Sequence, residues 1–231
     1  MHKNILPIMM IALMFAIAFY AEPLVKTNEK GEIISHWNFS GTPNGWMDKT
    51  VGVYLIPILT LIIYLGLLAI PRIEVYQKNL KEFEMHFWGF KVVLVFVMGV
   101  IYVASLIPNL GYWGSFDPTI IIIPAVALLF FYVGYMLNFT KRNYFIGVRT
   151  PWTLADEKIW EKTNKLASKL FWVCGMLTLV CLVAPGDLRL WFILLPAMIT
   201  AIGACLYSLW EYLKTKKRQK KKGKAEKKKR R

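Results

Sequence analysis

Thr119-Ile-Ile-Ile-Ile-Pro124-Ala-Val-Ala-Leu-Leu-Phe-Phe-Tyr-Val-Gly134-Tyr-Met-Leu-Asn-Phe139 runs for 21 residues without a charge. A helix rises about 1.5 Å per residue, so this stretch reaches about 30 Å, the thickness of a bilayer's hydrocarbon core. Five further apolar runs accompany it, at residues 5–20, 51–70, 88–107, 167–184 and 190–212. The six runs hold 118 of the 231 residues, and the longest gap between them, residues 21–50, is too short to bury a core of its own. The expected fold is therefore all-α, a polytopic membrane protein with six transmembrane helices that can pair as three helical hairpins. The run at residues 5–20 also fits a signal peptide, with Ala16-Ile17-Ala18 as its cleavage site.

Composition agrees: 56% of the chain is hydrophobic and 19% charged, which excludes disorder and an ordinary soluble domain. The net charge of +15 is unevenly placed, because residues 214–231 hold 13 Lys or Arg and one Glu. Three units are expected: an N-terminal membrane domain at 1–110 with an outer loop at 21–50, a second membrane domain at 111–213 with an inner loop at 140–166, and a disordered basic cytoplasmic tail at 214–231. Cationic residues collect on the cytoplasmic side of a membrane. The tail, and the loop with Lys141, Arg142, Arg149, Lys158, Lys162 and Lys165, are thus placed inside, residues 21–50 outside, and both termini in the cytoplasm of a cell with this protein in its plasma membrane. The tail is expected on anionic lipid headgroups; nucleic acid ranks below lipid because the tail lacks interleaved aromatics that stack bases.

Three runs share a pattern, with Pro57, Pro124 and Pro196 followed seven to ten residues later by Gly66, Gly134 and Gly203. Each proline removes an amide donor and frees the carbonyl four residues before it, at Val53, Ile120 and Phe192, so helix kinks are expected there.

No run carries an ionisable residue near its centre, which disfavours an ion-coupled transporter. The three histidines, His2, His36 and His86, are assigned to different sides, and no spaced metal, nucleophile or Gly-rich phosphate motif occurs. Cys174, Cys181 and Cys205 lie in apolar runs and form no disulfide framework. No enzyme activity, cofactor or metal is expected.

Two hydrophilic loops carry more pattern. The outer one contains His36-Trp37-Asn38, Gly41, Pro43-Asn44-Gly45-Trp46 and Asp48. It has turn chemistry and two interfacial indoles, and is either an anchored loop or a platform presenting His36, Asn38 and Asp48. The inner one contains Asn143, Gly147, Arg149-Thr150-Pro151-Trp152-Thr153, Asp156, Trp160 and Asn164. Pro151 holds Thr150 extended, Thr153 with Asp156 resembles a capping box, and a helix is expected from near Leu154 into the fifth span. Arg149 is expected to pair with Asp156, Glu157 or a lipid phosphate, and Glu161 with Lys165.

The inner string closely resembles the signature of the SdpI immunity-protein family, and the outer one is similar to a small domain of unknown function that often precedes it. The resemblance implies a membrane protein that protects its cell from a secreted, membrane-active toxin and, in some relatives, holds a cytosolic repressor at the membrane. It also implies that the inner motif binds the regulator while the outer loop senses the toxin. The alternative class is a small carrier or channel for a lipid-like or peptide substrate.

Overall fold

The computed structural model describes residues 4–38, 41–112 and 117–229. Each apolar run becomes a helix: α1 (Ile5–Ala21), α2 (Lys49–Ile73), α4 (Glu84–Ile107), α5 (Thr119–Leu137), α7 (Glu157–Val180) and α8 (Gly186–Lys229). Two short helices, α3 (Gln77–Glu82) and α6 (Pro151–Ala155), lie in the connections, and a single π turn, Pro108–Tyr112, follows α4. Among the described residues four helical segments are long and apolar enough to cross a membrane: Lys49–Ile73, Glu84–Gly111, Thr119–Leu137 and Leu188–Lys221. Helix α1 is apolar but has 17 residues, and α7 has 24 but begins with a charged stretch that holds Glu157, Lys158, Glu161, Lys162 and Lys165. The molecule is a multi-pass helical membrane protein.

Helices α1, α2 and α4 pack on one another, α4 also packs on α5, and α5, α7 and α8 follow in series. Lipid is the medium that explains the outer surface, where Ile62, Ile199, Leu206 and Phe19 stand more than half exposed. Close approach of α5 and α7 depends on small residues: an added Cβ at Gly175 would lie 2.4 Å from the Phe131 ring. Pro57, Pro124 and Pro196 all lie inside helices, in α2, α5 and α8 respectively.

The outer loop contains an element the apolar runs do not announce. Strands β1 (Glu32–Trp37) and β2 (Pro43–Asp48) form an antiparallel hairpin, with register breaks on either side of His36. Ile33, at 3% exposure, drives from β1 into the cluster of Met14, Ala18, Val53 and Tyr102, so the hairpin is nailed to the α1–α2–α4 bundle by apolar burial.

The tail departs from expectation. The structure carries α8 through the basic segment to Lys229, where a disordered tail is predicted. Lys, Arg, Gln, Glu and Ala are good helix formers, and a segment continuous with a formed helix pays no nucleation cost.

Candidate functional site

The loop between α5 and α7 is fixed by side chains that bond to backbone. Asn143 is fully buried, and its Oδ1 accepts from the amides of Phe145 (2.8 Å) and Ile146 (2.7 Å) while its Nδ2 donates to the carbonyls of Lys141 (2.8 Å) and Ile146 (2.9 Å). Asn164, 1% exposed, does the same from α7: Oδ1 accepts from Val148 N–H at 2.9 Å, and Nδ2 donates to the Trp160 carbonyl at 3.0 Å. The Trp160 indole N–H donates to the Thr140 carbonyl at 2.9 Å. Gly147 sits between Asn164 and Trp160 with φ of 112°, and an added Cβ would lie 2.7 Å from Asn164 Oδ1, so both backbone and space demand glycine there.

Beyond Gly147 the chain enters α6 through a reciprocal cap. Thr150 N–H donates to Thr153 Oγ1 at 2.9 Å and Thr153 N–H donates to Thr150 Oγ1 at 3.2 Å, with Pro151 as the first helical residue, where its missing N–H costs nothing. The Thr153 hydroxyl donates to the Val148 carbonyl at 2.8 Å. The Ser208 hydroxyl donates to Cys205 O at 2.7 Å, so it is the Thr150 hydroxyl that donates to Ser208 Oγ at 3.0 Å, tying the loop to α8. Trp152 lies near Tyr212 of α8, with ring centroids 6.4 Å apart.

Two expectations need correction. The cap is Thr150 with Thr153, and Asp156 instead starts a separate helix: its carboxylate accepts from Lys158 N–H at 2.8 Å and Ile159 N–H at 3.2 Å. Arg149 pairs with neither Asp156, occupied in that cap, nor Glu157; its Nη1 donates to the Tyr144 carbonyl at 2.7 Å and the side chain stays exposed. The Glu161–Lys165 pair forms as expected, at 2.7 Å. Lys162 reaches Glu211 of α8 at 2.7 Å, and this hydrogen bond holds the Lys162 ammonium above the usual lysine range.

The loop also rests on a residue that sequence reading passed over. Glu74, 2% exposed just past α2, accepts from Tyr76 N–H at 2.8 Å and, across 70 residues of chain, from Tyr144 N–H at 2.9 Å. The Tyr76 and Tyr144 rings stack at 5.4 Å, and the Arg142 guanidinium lies 5.0 Å from the Tyr76 ring centre. Glu74, Asn143, Gly147, Thr150, Thr153, Trp160 and Asn164 therefore make one closed unit, a loop lock joining α2, α5, α7 and α8.

At the far end of α2 stands the hairpin. His36 Nδ1 lies 2.5 Å from Asn44 Oδ1 across the strands, and Asn38 closes the turn by accepting from Thr42 N–H at 2.9 Å. Asp48 caps α2, accepting from Val51 N–H at 3.1 Å. All three members of the expected platform thus make hydrogen bonds that hold the hairpin, and its exposed residues among those described are His36, Thr42, Asn44, Trp46 and Asp48. Trp37, Pro43 and Gly45 lie on the strands and Gly41 in the turn, with φ of 78°, where an added Cβ would meet the Asp117 carboxylate at 2.9 Å. Ser40 and Phe39 lie outside the described residues. Asn109, also unforeseen, pins β1 from the π turn: Oδ1 accepts from Ile34 N–H at 2.8 Å, and Nδ2 donates to Ile34 O at 2.9 Å. The α2 helix separates lock from hairpin by 25 residues, about 37 Å at a helical rise of about 1.5 Å per residue.

Fold and site define a multi-pass membrane protein with a β-hairpin at one end of its bundle and a hydrogen-bonded loop lock at the other. Residues 140–208 match the model of the SdpI/YfhL protein family, and residues 32–61 match a domain of unknown function, DUF1648. The first match begins at Thr140, which accepts the Trp160 indole, and ends at Ser208, which meets Thr150. The chain is 27% identical to the protein named Immunity protein SdpI of Bacillus subtilis (strain 168) over 214 residues, 93% of this chain and 98% of that one. No solved structure matches.

Proposed function

We propose that the protein is a non-enzymatic immunity protein of the cell membrane, shielding its cell from a secreted, membrane-active toxin. Positive charge in the loop lock and tail supports an orientation with both termini in the cytoplasm and the hairpin outside. In this reading Trp46 and Asn44 face the toxin, and the lock, from Asn143 to Asn164, is the surface a cytosolic regulator recognises. Pro57, Pro124 and Pro196 supply helix kinks between the two ends, and the basic tail lies against anionic headgroups.

The observation that carries the reading is the coincidence of the family match with the closed lock, Thr140 to Ser208. A segment whose Asn143, Thr153, Trp160 and Asn164 side chains all bond to backbone has a defined surface, which recognition of a partner requires. The test is survival. Sensitive cells with and without the chain are exposed to spent medium of Bacillus subtilis strain 168, the source of the relative. Carriers are expected to survive at least tenfold better, and a Gly147→Val chain of equal abundance to lose the advantage. Equal survival of carriers and non-carriers overturns protection.

A further inference from the structure

Directly beneath the lock lies a cavity of about 470 Å³, within the range of about 300–1,000 Å³ typical of small-molecule sites. Its roof is the segment from Phe145 to Arg149, and its walls include Leu67 of α2, Phe90 of α4, Met136 of α5, Phe171 of α7 and Ala204 of α8. Helix α2 packs on α1 and α4, and α8 on α7 and α6, so α2 and α8 face each other across the cavity without a packed interface. An apolar space of this kind inside a bilayer does not hold water, which needs several polar partners. It takes an apolar chain.

The roof adds a second requirement. Arg149 alone among the lining residues carries a charge, and it stands at the rim, exposed, at the polar end of the bundle. One guanidinium N–H is spent on the Tyr144 carbonyl at 2.7 Å, which aims the group. The planar fork is suited to bidentate pairing with a phosphate. Apolar walls with a cation at the mouth match one class of molecule.

We propose that this cavity binds a single anionic phospholipid from the leaflet at the lock end, one acyl chain between α2 and α8 and the phosphate on Arg149. The inference needs a bilayer and the lock but no toxin, so it stands or falls apart from the proposed function. A bound lipid closes the gap between α2 and α8 and buttresses the underside of the lock, making lock geometry dependent on lipid composition.

The test uses the full chain in nanodiscs at 0.5 M salt, about 4 Å of Debye length, which screens loose binding to the tail. Phosphatidylglycerol with a photoreactive group in mid-chain is irradiated and its adducts mapped. Adducts are expected on residues 145–149 and 201–205, competed at least fivefold better by unlabelled phosphatidylglycerol than by phosphatidylcholine. Arg149→Gln should lower their yield at least fivefold, and Ala204→Trp, which fills the cavity, should abolish them while adducts at the outward-facing Ile199 and Ile202 persist. Adducts on outward residues alone, or equal competition by both lipids, overturn the proposal, as does a polypeptide found in the cavity by native mass spectrometry. Should either variant fail to fold, the wild-type map and its competition decide.

Discussion

Asn109 grips Ile34 as a neighbouring strand would, taking its N–H at 2.8 Å and giving to its carbonyl at 2.9 Å from one side-chain amide. At 4% exposure it also donates to the Ser105 carbonyl at 2.9 Å, so the hairpin is welded to the last turn of α4. The edge of β1 at this point is closed by the protein's own side chain, leaving β2 with Trp46 as the more available edge.

Asn109→Ala strips Ile34 of both partners and should cost about 1–3 kcal/mol. Hydrogen exchange checks this: the Ile34 amide is expected to lose protection, while the amides of Ile146 and Val148 at the other end keep theirs. Unchanged exchange at Ile34 contradicts the assigned role.

Gly147→Ala combines a strained positive φ with a clash against Asn164 and should destabilise the lock by about 1–3 kcal/mol. Thermal unfolding in detergent is expected to shift downward, with exchange rising at Val148. Gly66→Ala, in open space, serves as the control and should shift little.

Glu74→Ala leaves the part-buried amides of Tyr76 and Tyr144 without their acceptor, whereas Glu74→Gln retains one carbonyl oxygen. The alanine variant is therefore expected to be the less stable by about 1 kcal/mol, the net worth of a typical hydrogen bond. If glutamine is as damaging as alanine, charge rather than hydrogen bonding holds the loop.

Orientation follows from accessibility. In a chain whose Cys174, Cys181 and Cys205 are replaced, a cysteine at the exposed Thr42 should react with an impermeant thiol reagent on intact cells, and one at the exposed Ala155 should react only after lysis. The opposite pattern would invert the proposed sidedness, and with it the roles of hairpin and lock.

Lys162→Met deprives Glu211, 5% exposed in its side chain, of its 2.7 Å partner and leaves Lys214 at 3.6 Å. Leaving a buried charge short of its main partner should cost about 1–3 kcal/mol. A Lys162→Met, Glu211→Leu double variant should regain most of that loss in the same thermal assay.

The helices were legible because hydrophobic content over about 20 residues is a strong, local signal. The start of α6 was misplaced: a cap at Thr153 with Asp156 and a helix from near Leu154 were expected, whereas Thr150 is the cap and Pro151 the first helical residue. The hairpin was half legible: Gly41 and Pro43-Asn44-Gly45 were read as turn formers, and Gly41 is in the turn while the other three lie on β2, because a strand with Asn44 and Gly45 has little β preference and pairing is decided by burial of Ile33. Glu74 and Asn109 were invisible for a different reason. Their partners lie 70 and 75 residues away in the chain, and no local pattern encodes which distant amide a lone polar side chain will meet. Asp156 was misassigned because one carboxylate can serve the helix before it or the helix after it, and only the break between α6 and α7 decides. The basic tail was judged on charge, although its helix-forming residues extend a helix already begun.

That extension has a mechanical consequence. Helix α8 has 44 residues, about 66 Å of rod at about 1.5 Å per residue, roughly twice what a bilayer needs. Pro196 lies near its start, and the far end at Lys229 is about 50 Å away along the axis. A swing of about 5° at the proline displaces that end by roughly 4 Å, more than the width of a hydrogen bond. The cations thus ride on a stiff boom whose tip magnifies any rearrangement at its pivot, and the Thr150–Ser208 and Lys162–Glu211 contacts are the stays that hold it at one angle.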